Sequence, residues 1–191
     1  MRLPTILLAL SIALLIGCGS DSGSTTGSAD AGNVESGGQG PSGELREDGI
    51  GSVDVGSSTS QVEQVFGKPD REQQLPGCEL DGPNATPTLQ WTWNLADGAV
   101  TVDFDAASGQ LISYRTTSPS LPTDAGVRIG DTFDTLRQGY GLILKPLNIG
   151  AKSSPSSGVW YVGKPGHTWL LFSVAGGTIK TIQGGNVQVC E

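Results

Sequence analysis

An internal repeat constrains the fold of this chain more than any other feature of its sequence. Residues 53–56 (VDVG) recur 74 positions later as residues 127–130 (VRIG). A later block, residues 93–111, recurs 68 positions on as residues 161–179, with aromatic, glycine and aliphatic residues in matching register. Two blocks in register indicate two copies of one structural unit, with a helix-to-strand connection six residues longer in the first copy.

The first copy opens with a helix signal. Ser58 and Gln61 have the spacing of a capping box, in which each side chain satisfies a free backbone N–H group of the first turn. Val62, Val65 and Phe66 then fall on one predicted helical face. The segment Gly67-Lys68-Pro69 ends the helix, because glycine accepts the left-handed conformation at a helix end and proline cannot continue the helix.

The second copy repeats this pattern with Thr132 as the predicted cap and Leu136 and Tyr140 on the apolar face. Gly139 replaces the equivalent of Val65, so this helix is expected to be weaker by about 1 kcal/mol. Period-2 alternation and the turn pairs Asp97-Gly98 and Ser108-Gly109 predict the strands that follow. The predicted strands are 89–95, 99–105 and 110–116 in the first copy and 159–162, 167–174 and 178–183 in the second.

A helix followed by an antiparallel β-meander, twice over, predicts an α+β fold with helices layered on sheet. The predicted units are repeat 1, residues 46–121, and repeat 2, residues 122–191. The motifs V-x-I-G-x-T, F-G-x-P, W-x-W and V-x-F-D-x-x-x-G-x-L resemble the tandem repeats of the β-lactamase inhibitor protein and of the SmpA/OmlA small outer-membrane lipoproteins. The resemblance implies a helix-on-sheet fold and a protein-binding role. In the inhibitor protein each repeat has its own disulfide, which this chain lacks the cysteines to form.

The strand faces give the candidate site. In repeat 1 we expect Trp91, Trp93, Leu95, Val100, Val102 and Phe104 to face the helix, with Thr92, Asn94, Thr101, Asp103 and Asp105 solvated. The same register in repeat 2 turns Val159, Tyr161, Leu170, Phe172 and Val174 to the helix.

That register leaves Trp160, His167, Trp169 and Leu171 on the opposite, open face. Exposed aromatic side chains on a sheet typically mark a contact surface, so these four residues form the predicted binding face. The alternative is that the repeats pack together there or that a terminal segment covers the patch.

The first residues direct the chain to a membrane. Arg2 precedes an apolar run that is too short for a permanent span, so residues 1–17 are interpreted as a signal peptide. The ending Leu15-Ile16-Gly17-Cys18 resembles the bacterial lipobox, which implies cleavage before Cys18 and acylation of that residue. The alternative is an ordinary signal peptide with an incidental cysteine. Gly19, where aspartate would signal retention at the inner membrane, favours the outer membrane in a Gram-negative cell; otherwise we expect the outer face of the cytoplasmic membrane.

Residues 18–45 follow as a Gly/Ser-rich tether with too little apolar surface to form a core. With Cys18 acylated, Cys78 and Cys190 remain, and in an exported protein two such cysteines usually pair. A bridge closing a loop of this length would stabilise the fold by about 4–5 kcal/mol on the chain-entropy model. The alternative is two free thiols.

Composition excludes several functions. The net charge is −8, from 11 basic and 19 acidic side chains, with no basic block, which argues against nucleic acid as a partner. His167 is the single histidine, no catalytic motif is recognisable, and we expect neither an enzyme nor a metal or cofactor. Asp103 and Asp105 faintly resemble a calcium loop, but a strand ending in a hairpin explains them better.

The sequence therefore predicts a membrane-anchored envelope lipoprotein whose folded region is a protein-binding module, inhibitor-like or a scaffold for assembly. The partner is not identified by the sequence. The alternative is a small envelope ligand, a glycan or a lipid, bound between the repeats.

Overall fold

The computed structural model describes residues 40–77, 86–148, 152–164 and 167–187. These residues form an α+β fold that is mostly β-sheet with two short helices. The elements are β1 (Leu45–Arg46), β2 (Gly49–Ile50), β3 (Val53–Asp54), α1 (Thr59–Phe66), β4 (Arg71–Leu75), β5 (Thr88–Leu95), β6 (Gly98–Asp105), β7 (Leu111–Thr116), α2 (Phe133–Tyr140), the 3₁₀ turn Gly141–Ile143, β8 (Lys145–Leu147), β9 (Ser157–Gly163), β10 (Trp169–Ala175) and β11 (Thr178–Gly185).

The main sheet has eight strands in the order β4-β5-β6-β7-β11-β10-β9-β8, with every neighbouring pair antiparallel. Strands β4–β7 follow α1 and strands β8–β11 follow α2, and both sets are arranged in the same order outward from the β7–β11 pair. That pair is therefore the seam at which the two halves of the chain become one sheet. Strands β1–β3 form a separate three-stranded sheet.

Helix α1 begins at Ser58 through the predicted capping box and ends at Gly67, whose φ of 77° suits glycine. Val62 and Phe66 are buried, but Val65, which was predicted on the same helical face, is 49% exposed. Val62 and Phe66 lie four positions apart on one narrow stripe, and Val65 falls beside that stripe.

Helix α2 begins at the predicted cap Thr132 and buries Leu136 and Tyr140. The glycine in its last turn has a packing reason that the sequence did not reveal. A Cβ atom added to Gly139 would lie 2.9 Å from the Cγ2 of Val127, so a larger residue would push away the segment that leads into the helix.

One face of the sheet and the two helices enclose the core. The ring centroids of Phe66 and Trp93 lie 5.7 Å apart, and those of Tyr140 and Phe172 lie 5.4 Å apart. The small sheet adds Leu45, which is fully buried although composition assigned it to the tether. The folded region thus begins before residue 46.

The six predicted strands are confirmed within two residues at each end; β10 begins at Trp169 instead of His167. Strands β1–β4 and β8 were not predicted. The sequence of β4, REQQL, has no apolar alternation, and β8 has three residues including a proline, so neither carries a strand signal. No helix within the described ranges is long and apolar enough to cross a membrane.

Candidate binding face

The sheet face that points away from the helices, here called the open face, carries the candidate site. Pairing in the sheet places one row of its side chains across all eight strands. From β4 to β8 the row is Arg71, Thr92, Thr101, Arg115, Gln183, Leu171, Tyr161 and Lys145. The open face is therefore polar over β4–β7 and apolar over β9 and β10.

The apolar half contains two of the predicted site residues. Trp169 and Leu171 share the open face, as predicted from the alternation along β10. Their side chains are only 6% and 5% exposed, although neither belongs to the core between the sheet and the helices. The ring of Trp169 packs edge-on against Tyr161, with centroids 5.4 Å apart. These two side chains thus offer little free surface to a ligand.

The predicted position of Trp160 on this face is wrong. Trp160 pairs directly with Phe172, so the two side chains share the helix-facing side, and the Trp160 ring lies 4.6 Å from that of Phe133 in α2. Tyr161 and Val159 consequently point to the open face instead. The register of repeat 1 assigns Trp160 to the wrong face of β9. Aromatic residues at both 160 and 161 give this strand no alternation of apolar and polar residues, so the sequence does not reveal a register shift of one residue.

His167 lies before β10, not in it. It is exposed, and its backbone N–H donates a hydrogen bond of 3.1 Å to the carbonyl of Lys164. Sheet pairing therefore does not hold this side chain on the open face beside Trp169.

The polar half forms a cleft of about 530 Å³ that the sequence did not predict. Both halves of the chain contribute to it. Its lining residues are Leu75, Pro76, Gly77, Thr88, Gln90, Asp103, Ile112, Ser113, Tyr114, Arg115, Gln183, Asn186 and Val187. We call this the seam cleft, because the β7–β11 pair runs through it. Alternation along β7 was the available signal, since it puts Ser113 and Arg115 on the face of Asp103.

Hydrogen bonds fix the polar side chains in the seam cleft. The carboxylate of Asp103 accepts a bond of 2.8 Å from the Nε2 of Gln90 and a bond of 3.1 Å from the hydroxyl of Ser113. A carboxylate held by neighbours on both adjacent strands has one orientation. The floor of the seam cleft is thus preorganised.

Arg115 supplies the cation of the seam cleft. Its side chain is exposed, and within the described part of the chain no carboxylate lies within 4.0 Å of its guanidinium. An arginine can donate several hydrogen bonds in one plane, and this residue type is enriched at protein interfaces. Arg115 can therefore engage a carboxylate, a phosphate or a backbone carbonyl of a ligand.

The hairpin interpretation of Asp105 is confirmed. Its carboxylate accepts hydrogen bonds from the backbone N–H groups of Ser108 and Ala107 and from the Ser108 hydroxyl. These bonds stabilise the charged form, led by those from Ser108, and lower the pKa of Asp105. The residue thus closes the β6–β7 turn. In the described ranges no group of three potential metal ligands was found.

The three cysteines, Cys18, Cys78 and Cys190, lie outside the described residues. The chain segments that lead to two of them border the same feature, because Gly77 and Val187 both line the seam cleft. The predicted disulfide and the predicted lipidation remain predictions.

Comparisons with known proteins assign no family. No family model matches the chain, and neither does any curated protein. Among solved structures, the chain is similar to an extracellular protein containing an SCP domain from Bacillus anthracis str. Ames, with 11% identity over 68% of this chain and a TM-score of 0.47. The chain spans 43% of that protein.

Two further solved structures are similar along nearly their whole length. The uncharacterized protein yfeY from Escherichia coli matches at 13% identity over 74% of this chain and 99% of that one, with a TM-score of 0.46. The "putative beta-lactamase inhibitor protein" of Streptococcus mutans matches at 14% identity over 79% of this chain and 92% of that one, with a TM-score of 0.30. These values are too low to transfer a family or a function.

Proposed function

We propose that the chain is an exported, lipid-anchored envelope protein built from two helix-plus-meander repeats, and that it is a binding protein, not an enzyme. We further propose that its ligand is a protein, bound on the open face at the seam cleft. The preorganised seam cleft with its exposed arginine is the observation that carries the proposal. Trp169 and Leu171 were predicted to contact the ligand. Because both are buried, we propose that they support the open face and do not contact the ligand directly.

A protein segment fits this surface for two reasons. The seam cleft offers hydrogen-bonded side chains in fixed positions, those of Gln90, Asp103 and Ser113, and further polar groups from Arg115 and Gln183. Such donors and acceptors can pair with the alternating donors and acceptors of an extended backbone. Tyr161 continues the same face one strand beyond Leu171, so a segment that crosses the sheet passes from a polar to an aromatic environment. Arginine and tyrosine are the residue types that most often carry binding energy at protein interfaces.

Partner capture from envelope extracts tests this assignment. The full chain with Arg115→Glu should lose any partner that the unchanged chain captures, because a carboxylate replaces the cation in the preorganised cleft. Glu63→Lys on α1, an equally drastic charge reversal at an exposed site of the helix layer, is the matched control and should retain it. Retention by Arg115→Glu with normal folding would refute the assignment to the seam cleft.

The second candidate, a small glycan of the envelope, is favoured by a separate observation. The seam cleft is concave and draws residues from both halves of the chain, which fits binding between the repeats. Amide, carboxylate and guanidinium groups are suitable partners for sugar hydroxyls. Titration of the ¹⁵N-labelled chain with peptidoglycan fragments should then shift the amide resonances of Gln90, Ser113 and Gln183. Shifts scattered over the helix layer would exclude this site.

Lipid anchoring and the disulfide are tested by mass spectrometry. We expect mature chains from a bacterial envelope to begin at an acylated Cys18, and Cys18→Ser to abolish membrane attachment. We expect a peptide that links Cys78 to Cys190 under non-reducing conditions. Reduction should then lower the free energy of unfolding by up to about 4–5 kcal/mol. Two free thiols per unreduced chain would contradict the pairing.

A further inference from the structure

The turn between α2 and β8 exposes two large aliphatic side chains that the fold does not use. Leu142 is 100% exposed and Ile143 is 58% exposed, whereas the next residue, Leu144, packs against the core. Gly141 ends α2 with a φ of 55°, and Leu142 and Ile143 follow it within the 3₁₀ turn. We call Leu142 and Ile143 the apolar tip.

The apolar tip borders a second cleft and two basic residues. A cleft of about 400 Å³ is lined by Glu47, Leu142, Ile143, Lys145, Val162 and Gly163. Lys145 begins β8 two residues after the tip, and Lys164 directly follows Gly163, which also lines this cleft. Both lysines are exposed. Glu47 is the acidic group on the cleft wall, and its partial burial raises its pKa.

The charge of the chain is divided unevenly, and the tip lies in the positive part. Residues 46–121 carry 4 basic and 11 acidic side chains, a balance of −7. Residues 122–191 carry 6 basic and 4 acidic side chains, a balance of +2. An acidic protein thus presents two of the three large aliphatic residues that are exposed in its described part from its basic half. Arg137 of α2 adds little here, because Asp134 lies 3.5 Å from its guanidinium.

We propose that the apolar tip and Lys145 with Lys164 form a membrane-contact surface, where Leu142 and Ile143 insert between the headgroups of an anionic bilayer. Exposed aliphatic residues flanked by lysines match the interfacial region of such a bilayer, which offers apolar chains beneath negative charge. An acidic partner protein matches less well, because its charge would satisfy the two lysines but would offer no apolar layer to Leu142, which is fully exposed.

The length of the chain before the described residues supports a bilayer as the occupant. This step rests on the proposed acylation of Cys18. The 22 residue steps from Cys18 to Gly40, which composition predicts to be a tether, would span about 25 Å on average and about 75 Å when fully extended. An eight-stranded sheet is about 35 Å wide, so the tether allows the tip to reach the anchoring bilayer. Tethering raises the local concentration of the tip at the bilayer to the millimolar range, so a weak contact suffices.

Vesicle binding by the unacylated chain tests the tip separately from the anchor. The chain from residue 18 onward, with Cys18→Ser, is sedimented with vesicles of phosphatidylglycerol and phosphatidylcholine, or of phosphatidylcholine alone. We expect the unchanged chain to bind the anionic vesicles. The double variant Leu142→Asp/Ile143→Asp should bind at least tenfold more weakly, because each substitution removes apolar surface that would be buried in the bilayer. Lys145→Gln and Lys164→Gln should each weaken binding about fivefold, which corresponds to about 1 kcal/mol per basic side chain.

Val65→Asp is the matched control, because Val65 is the third large aliphatic residue that is exposed within the described ranges and lies on α1, in the acidic half. It should bind as the unchanged chain does. The tryptophan fluorescence of a Leu142→Trp variant should shift to the blue when anionic vesicles are added. Lipids with brominated chains should quench this fluorescence.

No binding to anionic vesicles, or unchanged binding by the double aspartate variant, would overturn the proposal. So would a tip that crosslinks to a protein in cells while the tryptophan emission stays unshifted. Lipidation of Cys18 does not affect these results, so failure of the anchor and failure of the tip are distinguishable.

Discussion

Gly184 lies at the seam of the sheet, where a single added methyl group should be strongly destabilising. It pairs with Tyr114 of β7 on one side and Leu170 of β10 on the other. A Cβ atom at this position would lie 2.3 Å from the Cζ and the Oη of Tyr114, far inside van der Waals contact. The ring of Tyr114 is 1% exposed and its hydroxyl donates a hydrogen bond to the carbonyl of Arg46. It therefore cannot move aside without breaking that bond.

The cost of Gly184→Ala combines two effects. Overpacking a closed site costs about 1–3 kcal/mol, and the lost bond to the Arg46 carbonyl adds about 1 kcal/mol. We therefore expect the free energy of unfolding to fall by about 2–4 kcal/mol in urea denaturation followed by circular dichroism. In a Tyr114→Leu background the same change should cost less than half as much, because the clashing atoms are gone.

Gly130→Ala is the control for the effect of glycine itself. Gly130 has a φ of 90° but open space around its missing side chain, so its replacement should cost about 1 kcal/mol from backbone conformation alone. If Gly184→Ala cost no more than Gly130→Ala, the close contact at the seam, and with it the joining of the two halves through β7 and β11, would be wrong.

Three further predictions concern the helix cap, the register of β9 and one acidic group. Ser58→Ala should lower the free energy of unfolding by about 1 kcal/mol by removing the capping box, and an unchanged urea midpoint would contradict this. Trp160→Ala should lower the free energy of unfolding by about 2–3 kcal/mol and Tyr161→Ala by about 1 kcal/mol, because Trp160 packs on α2 and Tyr161 does not. A larger loss for Tyr161→Ala would support the register predicted from sequence instead. For Glu47, burial is the main cause of the raised pKa, followed by the nearby Asp124 and Asp48. The folded state then binds the proton more tightly than the unfolded state. The contribution of Glu47 to stability must therefore decline as pH rises from the ordinary pKa of 4.5 through the raised pKa of the folded state. In urea titrations at several pH values, Glu47→Gln should lessen that decline. An identical decline in the variant and the unchanged chain would refute this role of Glu47.

The sequence predicted the elements whose signals are local. Ser58 and Thr132 were predictable as caps, because each hydroxyl accepts a hydrogen bond from the backbone N–H three residues later and this contact needs no tertiary context. Trp91, Trp93 and Val102 alternate cleanly with polar residues, so their orientation followed from the period of a strand.

Elements whose position depends on tertiary contacts were missed. Strand β4 is polar apart from Leu75 and exists because β5 offers a free edge for pairing. The orientation of Trp160 was lost because aromatic residues occupy both faces of β9 at that point. The seam cleft joins Asp103 to Gln183, two residues 80 positions apart, and no local pattern encodes the curvature and pairing that bring them together.

The central claim, that the open face binds a protein at the seam cleft, is tested most directly by photocrosslinking in living cells. A photoreactive amino acid replaces Asn186, an exposed residue that lines the seam cleft, or, as control, Glu63 on α1, in the full-length chain with Arg115 unchanged. We expect a discrete protein adduct from position 186 that is absent from position 63. Adducts from position 63 alone, or none from position 186 at normal expression and folding, would contradict the claim.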